Sequence, residues 1–318
     1  MASRAWRVGL LACAALSVAT GPGALAAPPA PVREPTPKEA QTWKALVDQA
    51  ESARVAGRWR DLEALTRKRA AIEEKTFGPE APVTVASWSW IGQALVRQGR
   101  EAEAEPFYRR ALEANRRTLG DRDPQTLIAL TNLAGLLERQ GRFGEAEPLR
   151  RELHTAAQAV FGARSAETAA AAVALGDVLR ANARAAEAEP LYRSAVAIDA
   201  RQFGEADPRL AADLGSLAAA LDDLGRHVEA ESLHRRSLTL RRAAFGERDA
   251  ATAQAYARVA ANLDAQGRHA EAEPLHRTAL GIDRDVRGRN HPATAADVAA
   301  LGANLDAQGR AREAEPVL

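Results

Sequence analysis

Six histidines are the first candidates for chemistry, because four of them form two pairs, His227 with His234 and His269 with His276, each seven residues apart. On a helix that spacing puts both imidazoles of a pair on one face, as a zinc site would require. A site also needs further ligands. No cysteine or third histidine stands at ligand spacing, and the second pair is the first copied one repeat later. The expectation is no metal and no cofactor. The glutamates of Glu-Ala-Glu-Pro, such as Glu145 and Glu147, could work as paired acid and base. They recur along the chain, however, and active sites are not repeated in this way, so they read as a helix-start signal and no catalytic residue is assigned. Trp43, Trp59, Trp88 and Trp90 gather near the start of the folded region, where one could stack a ligand; packing explains them more simply. Arg58, Arg60, Arg67, Lys68 and Arg69 could meet phosphate or lipid headgroups, but Asp61 and Glu63 interleave with them, which is the pattern of a solvated face.

The elements that position these residues repeat. Gly-Arg pairs begin at Gly57, Gly99, Gly141, Gly225, Gly267 and Gly309, a 42-residue period with one failed register at Ala183-Arg184. Glu-Ala-Glu-Pro keeps the same period, ending at Pro106, Pro148, Pro190, Pro274 and Pro316, with Ser232 in one copy. A third marker is the series Gly78, Gly120, Gly162, Gly204, Gly246 and Gly288. Such strict periodicity announces a repeat architecture in which each unit buries its apolar face against the next.

Each unit reads as two helices. From Thr126 to Gln140, Leu130, Leu133, Ala134 and Leu137 fall on one face of a first helix, A. Asp123-Pro124 supplies an N-cap and a proline at the first helical position, and Asp207-Pro208 is expected to do the same. Gly141 ends helix A. Helix B then begins at Glu145, Ala146, Glu147 and Pro148, the proline being tolerated where first-turn amides have no intrahelical acceptor and the glutamates favouring the positive end of the dipole. Few aromatics (4%) and many alanines suit closely packed helices, so the fold class is all-α.

Trp88, Ile91, Gly92, Leu95, Gly99, Ala104, Tyr108 and Ala111 resemble the tetratricopeptide signature of W-x2-L-G-x2-Y followed by A-x3-F and a small residue. Ala188, Tyr192 and Ala195 repeat its second half, and Tyr256, Val259, Ala260, Leu263, Gly267, Ala272 and Ala279 repeat nearly all of it. The period, with the phrases QGR and EAEP, is similar to the kinesin light chain subtype. The resemblance implies a right-handed superhelical solenoid of helix pairs over 42–318, with units starting at 42, 84, 126, 168, 210, 252 and 294. The first of these is degenerate, carrying Gln49 and Arg69 at positions that are normally apolar or small, and the last is incomplete. Small residues at Gly92 and Ala104 let helices approach, while Trp88 and Tyr108 fill space between units. The longer period is expected to lengthen helix B by roughly 12 Å.

The same resemblance puts helix A on a concave groove that holds a protein or an extended peptide without covalent chemistry. Its outward positions include Ser89, Gln93, Arg97, Thr131, Glu138, Arg139, Asp177 and Arg180 in earlier units, and Asp222, Asp223, Gln254, Asp264 and Asp306 in later ones. This reads either as a charge gradient orienting a peptide, with acidic residues near Arg97, Arg139 and Arg180, or as ordinary solvated faces. A net charge of +1 gives no reason to expect nucleic acid.

Arg4 and Arg7, the apolar run from Val8 to Ala19 and Ala24-Leu25-Ala26 form a bacterial secretory signal, with cleavage expected after Ala26 and a periplasmic or secreted product with no membrane association after cleavage. Cys13, the only cysteine, lies within that segment in a weak lipobox-like context, so the mature chain is expected to have no thiol. Residues 27–41 read as a proline-rich linker. Because the chain stops about one turn into a helix B, the uncapped end is expected to fray or self-associate, as in a self-assembling stack, or to mark the recruiting arm of a longer CHAT-type peptidase-like protein.

Overall fold

The computed structural model describes residues 33–314, so the expected signal segment, Cys13, Pro316 and Leu318 lie outside the described residues. The chain divides into two compact units, Met1–Val160 and Phe161–Leu318. In the first, the helices are α1 (Pro37–Val55), α2 (Trp59–Phe77), α3 (Pro82–Arg97), α4 (Glu101–Leu119), α5 (Pro124–Arg139) and α6 (Phe143–Phe161, whose last residue begins the second unit). The second contains α7 (Ala166–Ala181), α8 (Ala185–Phe203), α9 (Leu210–Asp223), α10 (His227–Phe245), α11 (Ala250–Ala265), α12 (His269–Val286), α13 (Pro292–Ala307) and the short α14 (Ala311–Ala314). Odd-numbered helices from α1 to α13 are helix A of successive repeats and even-numbered ones helix B. Within each unit an A helix packs against its own B helix, as α3 on α4 and α11 on α12, and a B helix packs against the next A, as α2 on α3 and α10 on α11. Helix B is the longer element, 19 residues against 16 in α4 and α3.

The Gly-Arg marker makes the A-to-B turn. Gly99 adopts φ +75°, and the Arg100 amide reaches back 2.9 Å to the Leu95 carbonyl, closing the helix in a Schellman motif. The same 2.9 Å bond recurs from Arg142 to Leu137, Arg226 to Leu221, Arg268 to Leu263 and Arg310 to Leu305. At the failed register the chain keeps the conformation regardless: Ala183 sits at φ +58° and the Arg184 amide still bonds the Leu179 carbonyl at 2.9 Å.

The B-to-A turn uses a threonine that the sequence pattern did not single out. Thr84, Thr126, Thr252 and Thr294 each donate their hydroxyl to the carbonyl of the glycine six residues earlier, at 2.9, 2.7, 2.8 and 2.9 Å. Leu210 occupies this position in one repeat and has no hydroxyl. There α9 starts only at Leu210, and Asp207 bonds the Arg209 amide at 2.9 Å and its guanidinium. Asp207-Pro208 therefore does not reproduce the Asp123-Pro124 start that was expected of it.

Three further expectations are corrected. Residues 37–41 are not linker: Thr36 and Glu39 form a reciprocal capping box that starts α1 at Pro37. Helix B begins before Glu-Ala-Glu-Pro, at Glu101 in α4, so Pro106 lies inside the helix and not in its first turn. The early start brings Arg100, at the N-cap, within reach of Glu103 at 2.6 Å. Tyr108 fills space within its own repeat: a Cβ on Gly92 would stand 2.6 Å from its ring, and Gly176 faces Tyr192 in the same way at 2.8 Å. Where helix B carries Arg150, His234 or His276 instead, helix A carries Ala134, Ala218 or Ala260.

Two pairs of aspartates lie between successive repeats of the second unit. Asp199 on α8 meets Asp213 on α9, and two repeats later Asp283 on α12 meets Asp297 on α13. Burial first, then the hydrogen bond and charge of Asp199, with Asp177 adding, push Asp213 up to about 7. Asp297 is pushed up to about 6 by burial and by Asp283, against the opposing charges of His276 and Arg287.

Replacing Ala183 by glycine removes the left-handed penalty of an L side chain, offset in part by glycine's larger unfolded-state entropy, and is expected to stabilise the chain by about 1 kcal/mol in urea denaturation. For Asp213 the folded pKa lies above the ordinary 3.8, so between about pH 4 and 7 the folded chain keeps a proton that the unfolded chain has released. Stability therefore falls as pH rises through that window and levels off above it. Asp213→Asn is expected to flatten this part of the pH profile and to raise stability at pH 8 by about 1–3 kcal/mol, read from denaturation midpoints across pH.

Candidate functional site

From Arg100 onward, the arginine of the Gly-Arg pairs and the glutamates of Glu-Ala-Glu-Pro are one construction. Arg100 binds Glu103 on its own helix B at 2.6 Å and Glu63 on the previous helix B at 2.7 Å. Arg142 does the same with Glu145 and Glu105, at 2.8 and 2.5 Å. In the second unit Arg226 takes Glu229 and Glu189, Arg268 takes Glu271 and Glu231, and Arg310 takes Glu313 and Glu273. Gln98, Gln266 and Gln308 add amide donors to the same second glutamates, at 2.9, 3.1 and 3.2 Å. The Arg310 guanidinium holds Glu273 down at about 2. These carboxylates are consumed by the scaffold and leave no free pair for acid-base work.

The histidine pairs converge as well, on an aspartate. Asp222 takes His227 Nδ1 at 3.0 Å and His234 Nε2 at 2.8 Å, and it accepts 2.6 Å from the Asn262 amide of the next helix A. Burial pushes the Asp222 carboxyl up, but the bonds from His234, His227 and Asn262 outweigh it and hold the group below its ordinary value. Asp264, His269, His276 and Asn304 copy the arrangement at 2.9, 2.7 and 2.6 Å. In the earlier repeat the equivalent position is an ion pair, Glu138 with Arg150 at 2.5 Å. Among the described residues no group of three or more histidine, cysteine, aspartate or glutamate side chains is placed to hold a metal, and no helix is long and apolar enough to cross a membrane.

The remaining groove candidates are placed as follows. Gln93 and Ser89 line a cavity of about 270 Å³ in the first unit. Arg97 lies over the Trp59 ring at 5.3 Å, Thr131 bonds the Leu127 carbonyl at 2.8 Å, and Arg139 is exposed and paired with Glu101 at 2.6 Å. In the second unit Asp177 accepts from Tyr192 at 2.7 Å, while Arg180 and Asp223 are brought together as an ion pair at 3.3 Å. Gln254 is exposed beside Arg241 at 3.4 Å, and Asp306 is exposed.

The cavity is built from both helices of the first repeat and from α3, α4 and α5, with Asn115 and Leu119 contributed by α4. Trp43, Val47 and Arg54 come from α1, Arg69 and Glu73 from α2, Ala86, Trp90 and Gln93 from α3, and Ile128 and Asn132 from α5. Its floor is polar but sealed. Glu73, only 1% exposed, accepts from Trp43 Nε1 at 2.8 Å and Ser87 Oγ at 2.5 Å, with Arg69 3.3 Å away. Burial pushes the Glu73 carboxyl up despite the opposing charge of Arg69. Arg69, read from the sequence as part of a degenerate repeat, is thus a partner of this network. Trp43 and Trp88 are packed residues, whereas Trp90 is half-buried on the cavity wall with the Arg54 guanidinium 5.6 Å from its ring centre. Sequence reasoning missed Glu73, Asn262 and the paired aspartates. The signal was present: where a repeat position changes chemistry from one unit to the next, scaffold geometry does not dictate it.

Sequence models of the tetratricopeptide repeat match residues 83–159, 125–201, 167–243, 209–285 and 251–318. No curated protein sequence matches significantly. Among solved structures, the chain is similar to the nearly identical tetratricopeptide-like repeats of a putative kinesin light chain from Podosopora anserina, with 22% identity, a TM-score of 0.57, and coverage of 63% of this chain and 94% of that one. It is also similar to BtubC from P. vanneervenii, at 24% identity and TM-score 0.57 over 78% of this chain and 94% of that one. The apo quorum sensor NprR from B. thuringiensis gives 12% identity and TM-score 0.59 over 89% and 87%. At these identities the likeness is one of fold. With its repeat markers, its A and B helix pairs and a sequence match running from residue 83 to residue 318, the chain belongs to the tetratricopeptide repeat family.

Proposed function

We propose that this chain is a non-catalytic scaffold that holds an extended protein segment, and that the cavity between α1, α2, α3 and α5 receives one of its side chains. The observation that carries this reading is the wall itself. Trp90, Val47 and Ile128 offer apolar surface, while Gln93 and Asn132 offer unspent amides beside it. A mostly apolar recess with a few polar groups that fix orientation is the usual make-up of a recognition pocket. The ionic pairs elsewhere on the repeats are already satisfied and contribute little selectivity of their own.

Arg97 is exposed in the same unit, and we assign it a preference for acidic residues flanking the captured side chain, with a smaller share for Arg139, whose charge is shared with Glu101. Arg180 shares its charge with Asp223 and contributes less. The same reading puts the protein outside the cytoplasm, in the periplasm or secreted, on the strength of the basic start and apolar run in residues 1–26.

The test is an arrayed peptide library screened against the chain by fluorescence polarisation, followed by titration of the binders. Trp90→Ala and Gln93→Ala are expected to weaken binding about 10-fold or more, as loss of a buried anchor does. Arg97→Glu with Arg139→Glu is expected to weaken acidic peptides selectively. Binders whose affinity is indifferent to Trp90→Ala and Gln93→Ala would place recognition elsewhere and overturn the assignment.

A further inference from the structure

One 42-residue step at a time, the position of Thr66 on α2 becomes Tyr108, Arg150, Tyr192, His234 and His276. These larger side chains are buried, and each plugs the space between the A and B helices of its own repeat. Their tips are tied to helix A: Tyr192 donates its hydroxyl to Asp177 at 2.7 Å, Arg150 pairs with Glu138 at 2.5 Å, and His276 meets Asp264 at 2.7 Å. The first repeat has only the short Thr66 in this place. Ala50 faces it, where Tyr108 and Tyr192 face Gly92 and Gly176, and a methyl group does not replace a ring.

The first-unit cavity opens at this vacated position, with Ala50, Glu51, Arg54, Leu62 and Thr66 in its lining. Trp90 of the next helix A packs against the Ala50 and Leu62 cluster in partial compensation, yet about 270 Å³ stays open. An interior cavity of roughly 150 Å³ is enough for benzene, so a substituted ring fits here.

Two observations specify the missing group. The Thr66 hydroxyl is fully buried and has no hydrogen-bond partner, which is costly unless an occupant supplies one. Threonine in a helix has two open χ1 wells, so that hydroxyl can turn to an occupant without backbone movement. The second observation is the acid and base on helix A. Glu51 and Arg54 stand where the repeat starting at 168 carries Asp177 and Arg180, the pair beside the Tyr192 hydroxyl. Glu51 and Arg54 pair at 2.5 Å and Arg69 faces Glu73 at 3.3 Å, so the lining is neutral and a charged occupant would have to break one of these pairs. A flat apolar body with one neutral hydroxyl tip answers the Trp90 indole, the orphan Thr66 hydroxyl and the Glu51 carboxylate together.

We propose that the vacated plug position of the first repeat is a binding site for a phenol, whose ring packs against Trp90 and whose hydroxyl donates to Glu51 and accepts from Thr66. The site goes beyond the scaffold reading, because a free phenol needs no captured segment. A tyrosine on such a segment would bring the same ring, and for that source the proposal rests on the scaffold reading.

The test titrates the full chain with p-cresol and with toluene, which lacks the hydroxyl, while the tryptophan indole N–H NMR signals are followed; the capped amides of tyrosine and phenylalanine form a second pair of probes. Saturable shifts at Trp90 are expected with p-cresol, with affinity about tenfold or more above that for toluene. Tighter binding of the tyrosine amide than of p-cresol assigns the ring to a segment, and the reverse assigns it to a free phenol. Ala50→Gly with Thr66→Tyr, which copies Gly176 and Tyr192, is expected to abolish p-cresol binding and to raise the melting temperature. Thr66→Val removes only the hydroxyl and is expected to weaken p-cresol about fivefold while leaving the melting temperature unchanged or higher, which keeps the test decisive if the double variant fails to fold. Equal affinity for p-cresol and toluene would make the site a plain apolar recess and overturn the assignment. So would p-cresol affinity indifferent to Thr66→Val, or the absence of saturable binding by any probe. Library peptides that depend on Trp90 while neither phenol binds would sink this site alone and leave the scaffold reading standing.

Discussion

Five of the repeats turn on a single arginine, Arg100, Arg142, Arg226, Arg268 or Arg310. Its amide closes helix A, its guanidinium clamps the first turn of its own helix B, and the same guanidinium reaches the previous helix B, so one side chain joins three elements. Isolated surface ion pairs are worth little because holding two long side chains in place costs entropy. Here that cost is reduced, since the backbone of Arg268 is already fixed by its bond to Leu263 and Glu231 is already held by Arg235 and Gln266. The left-handed glycine before the arginine follows from this constraint. Even where glycine is missing, Ala183 accepts an unfavourable φ of +58° and the arginine's amide bond is kept.

This division of labour explains what could be read in the sequence. Gly-Arg, Glu-Ala-Glu-Pro and the turn glycines were legible because every repeat needs them, and the all-α repeat fold followed from their spacing. Their joint role was not legible, because Glu231 and Arg268 are 37 residues apart and no local rule connects them. The histidines show the same limit. Copying explained the pairs as one position inherited twice, yet sequence spacing could not reveal that His227 and His234 share Asp222 with an asparagine from the next helix. The threonine bond to the preceding glycine carbonyl was missed for a simpler reason: a threonine at a helix start is unremarkable until its acceptor is seen. Its absence at Leu210 then accounts for the late start of α9.

The candidate sites lie where the ladder makes no demand. The position of Glu73 is Asn115, Asp199, Arg241 and Asp283 in other repeats, and that of Trp90 is Asn132, Ser216 and Arg258. The position of Ser87, which bonds Glu73, is Asp213 and Asp297 in later repeats, so a tryptophan-lined recess over a buried glutamate can give way to a pair of arginines or of aspartates while the backbone stays the same. A scaffold whose repeats are fixed at one set of positions is free to diversify at another, and it is there that buried charge is tolerated at the expense of stability. Asp213, held at about 7, and Arg258, without a carboxylate partner, are two forms of that cost.

The claim that the arginine joins neighbouring repeats is tested most directly by a double-mutant cycle between Arg268 and Glu231, using Arg268→Ala, Glu231→Gln and the double variant in equilibrium urea denaturation. A coupling free energy of about 1 kcal/mol, larger than that between Arg268 and Glu271 and reduced by salt, is the predicted result. A coupling within about 0.3 kcal/mol of zero would contradict it and leave apolar packing alone to hold one repeat to the next.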